Sequence, residues 1–449
     1  MLRTLSNRAQ CACLVVCTAS LIFLPSLASA QAFDSRGFAD GRLFVYPQTA
    51  PNDSTRAVAE ALFRYEPTLT AGWLRAAAAL DARMDTHAQV ERRWYVDWED
   101  RGVQRPPFSV RRLSATISRS GLSVELGKQF IRWGKADILN PTDRFAPRDF
   151  LTVVDNEFLG VTGARLLYER AGNGLDVVWV PHFTPSRIPL FDQRWSTLPA
   201  GGVEVLLPQP PPSRPRAAFI PFADGGARYP GGSQEGIRFN RSGAGYEFSL
   251  SFYNGFNHLP LIDARFASAP PSVELVRYYA QMRMYGGDVA LPNRWFTLKA
   301  EFGYFTSTTQ TADEYGLYVV QAERQVRDWL FVAGYSGDFV TRHGVTPTPP
   351  GSAPAASAST SPGFAIDRGL SRSFLGRAAF TIDAARDLAF QAAVRQNGEG
   401  IWLKGEYSQT YGGHLRATVE GNWIHGSEED FIGQYHHNSN VNVRVRYSF

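Results

Sequence analysis

Residues 132–149 concentrate charge of both signs: Arg132, Asp137, Asp143, Arg144, Arg148 and Asp149. Such side chains can pair into a network that pins a loop. Across a narrow aqueous passage they can instead orient polar solutes and concentrate counter-ions. Catalytic chemistry is poorly provided for. The only cysteines are Cys11, Cys13 and Cys17, so the remainder of the chain has no disulfide, cysteine-type zinc site or thiol nucleophile. His425, His436 and His437 fall in the last long loop, where neighbouring histidines are expected to point apart, favouring a solvated loop over a metal site. His414 follows Gly412-Gly413 in a tight turn with no serine signature nearby, whereas a hydrolase needs nucleophile, base and orienting group on one face. No catalytic residue, metal or cofactor is expected.

The elements that must position these charges begin after residue 30. Arg3 and Arg8, the apolar stretch Cys11–Leu24, Pro25 and the small-residue end Ala28-Ser29-Ala30 have the three-part layout of a signal peptide, with cleavage expected after Ala30. Cys17 follows the bulky Val15-Val16 and is not expected to be lipidated. The net charge of +4 over 449 residues makes no case for nucleic acid. No later segment offers the roughly 18 apolar residues of a membrane helix, which leaves a closed barrel as the way to cross a bilayer.

The hydropathy pattern has the period of such a barrel. In residues 441–449 one face reads Val441, Val443, Val445, Tyr447, Phe449 and the other Asn442, Arg444, Arg446, Ser448. Strict alternation is a strand with one apolar and one polar face. The same rhythm runs through 415–423, 401–408, 296–304 and 276–285, and strands are expected near 36–47, 55–69, 73–86, 109–119, 122–132, 161–170, 175–181, 235–241, 244–253, 315–326, 329–339, 371–384 and 388–396. The sum is 18, or 16 if residues 36–69 lie outside the membrane. Tight turns such as Ser120-Gly121, Arg327-Asp328 and Gly412-Gly413 alternate with long connections, and an even count puts both termini on the periplasmic side. The fold class is therefore all-β, a transmembrane antiparallel β-barrel occupying residues 31–449 as one domain. Its long extracellular loops span 182–234, with a Pro-rich stretch at 208–215, and 340–370. Trp179, Trp295, Trp402, Trp423 and Tyr447 are expected in interface girdles and wall packing.

The run Gly127, Gln129, Trp133-Gly134, Asp137, Asn140-Pro141, Asp143 and Pro147-Arg148-Asp149 resembles the motif of a family of outer-membrane barrel proteins of unknown function, distantly similar to alginate-export porins. Val178-Trp179-Val180-Pro181 with Arg187 and Pro189, Gly255 before Pro260, and the terminal Phe449 are further points of similarity. The resemblance implies an outer-membrane location and partnership with exporters of lipids or hydrophobic solutes. The terminal Phe449 strand resembles the signal read by barrel-assembly machinery. Trp133-Gly134 lets the chain turn sharply, and Asn140-Pro141 and Ala146-Pro147 impose extended or turn geometry.

The expected function is a porin-like channel or export conduit for small or hydrophobic solutes in the outer membrane of a Gram-negative-type cell, surrounded by lipid. Two alternatives stand beside it: a surface receptor or structural barrel sealed by its loops, and a secreted soluble all-β binding protein. Segment 133–158 is a candidate to fold into the lumen, with a charge network that only pins the loop against the wall as the alternative. The constriction would then combine Arg132, Trp133, Asp137, Asn140, Asp143, Arg144, Arg148 and Asp149 with the wall residues Lys299, Glu301, Lys404, Glu406, Arg444 and Arg446. N-terminal sequencing of the exported protein should start at Gln31; a start at Met1, or an acylated Cys17, would contradict export by this leader.

Overall fold

The computed structural model describes residues 31–137, 139–198, 201–207, 216–268, 270–345 and 366–449. The expected leader and its cleavage after Ala30 lie outside the described residues, as does the Pro-rich stretch 208–215. Eighteen strands form the wall: β1 (Gln31–Val45), β2 (Ala57–Ala71), β3 (Leu74–Asp85), β4 (Phe108–Arg119), β5 (Leu122–Gln129), β6 (Val161–Arg170), β7 (Asn173–Val180), β8 (Gln234–Gly243), β9 (Tyr246–Phe256), β10 (Gln281–Pro292), β11 (Thr297–Thr306), β12 (Glu314–Val326), β13 (Trp329–Arg342), β14 (Ser373–Asp383), β15 (Arg386–Arg395), β16 (Gly400–Tyr411), β17 (Leu415–Gly426) and β18 (Asn440–Ser448). Residues 36–69 supply the paired strands β1 and β2, so the wall has 18 strands rather than 16.

Each strand pairs antiparallel with its sequence neighbour, and β1 pairs with β18, Phe38 opposite Ser448 through Val45 opposite Val441. The sheet is therefore closed and has no free edge. Alternation sets the two faces. Val443 (43% exposed) and Val445 (46%) project outward, while Asn442 (6%) and, across the seam, Asp40 (5%) are buried inside. Arg444 and Arg446 both reach Asp40 at 2.7 Å. A band including Leu250, Phe302, Phe331, Phe390 and Val419 continues the apolar exterior, which in water would be an outsized exposed patch and in lipid is the required surface. Trp179, Trp295, Trp423 and Tyr447 stand outward as expected. Trp402 does not: its Nε1 donates to inward-facing Asn422 at 3.1 Å.

One strand departs from its expected position. Residues 276–285 are split: Pro271–Tyr278 belongs to a hairpin with Leu261–Ser268 beyond the wall, and β10 starts at Gln281. Met282 and Met284, on the face expected to meet lipid, point inward, and Tyr285 meets the outside. The inner face here is apolar because it packs against buried Trp133 and Phe145 in one cluster.

Turns at 72–73, 120–121, 171–172, 244–245, 327–328, 384–385 and 412–414 share one end with both chain termini. Gly121 and Gly172 adopt φ of 82° and 76° there, as two-residue hairpin turns require. Long connections, among them 86–107, 130–160, 181–233, 257–280 and 343–372, share the other end. No helix among the described residues is long and apolar enough to cross a membrane, which says nothing of strands. Arg at a lipid-facing position near the midplane costs about 2–4 kcal/mol, whereas inward positions tolerate charge. Val445→Arg should therefore lower the yield of heat-modifiable folded barrel much more than Arg444→Val. Equal yields would contradict the lipid assignment of this face, and the reverse order would mean that the faces are swapped.

Candidate functional site

The connection 130–160 is held by the inner wall at many points. Its first half is organised by two carboxylates. Asp143 Oδ1 accepts the Trp133 N–H and, at 2.7 Å, the Gly134 N–H, closing the turn expected at Trp133-Gly134. Glu301 of β11, 2% exposed, accepts from the Lys135, Ala136 and Thr142 N–H groups at 3.0, 3.1 and 2.8 Å and from the Thr142 hydroxyl at 2.8 Å. An unpaired buried N–H costs about 1–3 kcal/mol, so one wall carboxylate fixes a whole loop turn. Asp137 receives Lys299 Nζ at 3.0 Å and the Gln321 amide, while its N–H donates to Gln321 at 3.0 Å. Asn140 donates to the Ala136 carbonyl.

Aromatic packing seats the same turn. Trp133 meets Phe145 edge-on at 5.2 Å, and Phe145 meets Tyr253 of β9 at 4.9 Å. Trp133 Nε1 donates to Asp176 of β7 at 2.8 Å. A Cβ on Gly236 of β8 would lie 2.6 Å from both rings, so this inward position must lack a side chain.

The second half of the connection is held by arginines of two neighbouring connections, 86–107 and 181–233, and of the opposite arc of wall. Asp149 accepts two bonds from Arg105 at 3.1 Å and one from Arg187 at 2.6 Å. Burial opposes its charge, but Arg105 and Arg187 outweigh burial and keep its carboxyl below the ordinary carboxylate range. Glu157 receives Arg83 at 2.7 Å, Arg111 at 2.8 Å and Arg64 at 3.4 Å, and despite burial these three hold its carboxyl well below its usual range. Asp155 pairs with Arg42. Anchors thus engage β1–β4 on one side and β7 and β9–β12 on the other.

The sequence-derived residues fall into three places. Arg132 contacts Asp143 at 3.6 Å and lies 4.4 Å over the Phe158 ring, on which Arg148 also stacks at 4.2 Å. Asn140, Asp143, Arg144 and Arg148 line a cavity of about 120 Å³ together with Ser186 and His258. Lys299 and Glu301 join this group. Lys404 and Glu406 sit apart on β16, where Lys404 pairs with Glu420 of β17 at 2.7 Å, and Arg444 and Arg446 sit at the β1–β18 seam. Arg64, Arg83, Arg105, Arg111, Asp155 and Glu157 were not singled out in the sequence. Alternation along β2 to β4 was the signal that placed the wall arginines inward.

No protein-family model and no curated protein matches the chain. Among solved structures it is similar to a BenF-like porin from Pseudomonas fluorescens Pf-5, with a TM-score of 0.50 and 8% identity over 93% of this chain and 98% of that one. It also aligns with Pseudomonas aeruginosa OccD3 (OpdP), with a TM-score of 0.46 and 10% identity over 96% and 97% of the two chains. At such identities the likeness speaks for fold alone, and the first comparison carries it: the chain is a porin-like closed barrel of 18 antiparallel strands.

Glu301→Ala should strand three loop N–H groups, two of them buried, while leaving the wall hydrogen bonds in place. Hydrogen exchange should then accelerate at Lys135, Ala136 and Thr142 in a barrel that still shows heat-modifiable migration; unchanged protection would show that Glu301 does not hold the turn.

Proposed function

We propose that the protein is an outer-membrane channel for small solutes, its passage narrowed by segment 133–158. The observation that carries this reading is the combination of an apolar exterior with an ionic interior crossed by an anchored loop. A closed wall of this size leaves an aqueous lumen that side chains alone do not fill. The loop's anchors occupy two arcs of wall and leave Lys404, Glu406 and Glu420 on the remaining arc. Opposite the loop's own Arg144 and Arg148, these would flank a passage with charge of both signs, a field suited to polar or ionic solutes. On this reading the long-loop end faces outward and both termini are periplasmic, with Phe449 offered to the assembly machinery. Partnership with an inner-membrane exporter and kinship with alginate-export porins remain implications of the residue 127–149 motif.

Bilayer recording tests the proposal. The wild-type barrel should conduct, and replacing Arg132, Arg144 and Arg148 together by Ala should change conductance and ion preference, more at low ionic strength because salt screens over about 10 Å at 0.1 M. A non-conducting wild-type barrel would favour the sealed receptor. Unchanged conductance in a well-assembled triple variant would place the segment outside the conducting path.

A further inference from the structure

The two adjacent histidines of the last loop do not diverge. Residues Gly433–Asn438 form a 3₁₀-helix, and within it the His436 and His437 rings lie 3.8 Å apart, centroid to centroid, at 41°. Each ring has one nitrogen already committed. His436 Nδ1–H donates to the Gly433 carbonyl at 2.9 Å, and His437 Nδ1–H to the Gln48 side-chain oxygen at 3.2 Å. Both Nε2 lone pairs are thereby left as acceptors. Holding the second nitrogen on an oxygen is how proteins orient imidazoles that ligate metals. Glu428 supplies a third donor, its Oε1 4.0 Å from His436 Nε2, and one ligand atom from each of the three residues falls within 4.8 Å of the others.

From this convergence we propose that Glu428, His436 and His437 form a binding site for a divalent transition-metal ion of the zinc type, with two imidazole nitrogens, one carboxylate oxygen and a fourth position open to water. The donor set is one that Zn²⁺ takes. With bonds of about 2.0–2.2 Å, a tetrahedral edge is about 3.3–3.5 Å, and the exposed Glu428 side chain can close the remaining gap by rotation. The helix that carries the imidazoles is anchored: Arg194 donates to the His437 carbonyl at 2.9 Å, Asp430 pairs with Arg395 at 2.8 Å, and Phe431, Ile432 and Tyr435 are buried. A bound ion would tie the start of the 427–439 loop to its helix at the end that carries the long loops, independently of what the lumen conducts.

Calorimetric titration of the purified, detergent-folded barrel with Zn²⁺ alone tests the site. One ion per barrel should bind, His436→Ala with His437→Ala should abolish binding, and Gln48→Ala, which frees one imidazole, should weaken it about 10–100-fold. Saturable binding no tighter than about 1 mM, or equal binding by the double variant, would overturn the proposal. If the double variant does not assemble, Cu²⁺ electron paramagnetic resonance on the wild-type barrel decides: coupling to two imidazole nitrogens supports the site, and coupling to one or none overturns it.

Discussion

A chain surrounded by hydrocarbon has no water to satisfy its peptide groups, so every N–H and C=O in the spanning wall must find a partner within the sheet. The seam between β1 and β18 meets that demand, since without it two full strand edges would face lipid unpaired. It is finished at the terminal residue, where Gly37 and Phe449 exchange backbone hydrogen bonds at 2.9 and 3.0 Å and the Phe449 ring stacks on Phe63 at 5.9 Å. The seam also carries Asp40, which gathers Arg444 and Arg446 on the inner face. One closure thus fixes wall continuity, strand parity and the shared end of the two termini.

Closure at 18 strands has a second consequence, because the enclosed space is too wide for wall side chains to fill. The connection 130–160 is anchored to the inner face of the wall through an apolar half and an ionic half. Trp133 and Phe145 make a dry knot against β8, β9 and β10, and the inward methionines Met282 and Met284 belong to it. The ionic half pairs its carboxylates with wall arginines. Buried ion pairs contribute little net stability once desolvation is counted, but losing one partner is costly. Their value here is positional: Asp155 and Glu157 meet cations of one arc of wall, and Asp149 meets Arg105 and Arg187 of two neighbouring connections.

The period-2 pattern made the barrel legible. It located 17 of the strands close to their observed places, predicted short turns at one end and long loops at the other, and assigned Val443, Val445, Arg444 and Arg446 to their faces. The turn chemistry of Trp133-Gly134 and the charge cluster at 132–149 were also visible, because both depend on residues close together in the chain.

What only the tertiary structure decided is which face counts as inside and which distant residues meet. Alternation labels an apolar face without saying what covers it, so Met282 and Met284 read as outward-facing until the loop was placed opposite them, and residue type alone assigned Trp402 to a girdle although alternation puts it on the polar face with Lys404. Glu301 and Thr142, or Arg83 and Glu157, are far apart in sequence and are joined by barrel curvature, which local pattern does not encode. The same holds for His436 and His437: helical or extended spacing would send neighbouring side chains apart, and the 3₁₀ turn with its Gln48 contact from the β1–β2 connection brings the rings together. Local periodicity follows from backbone geometry at each residue, whereas pairing across a lumen follows from closure of the whole chain.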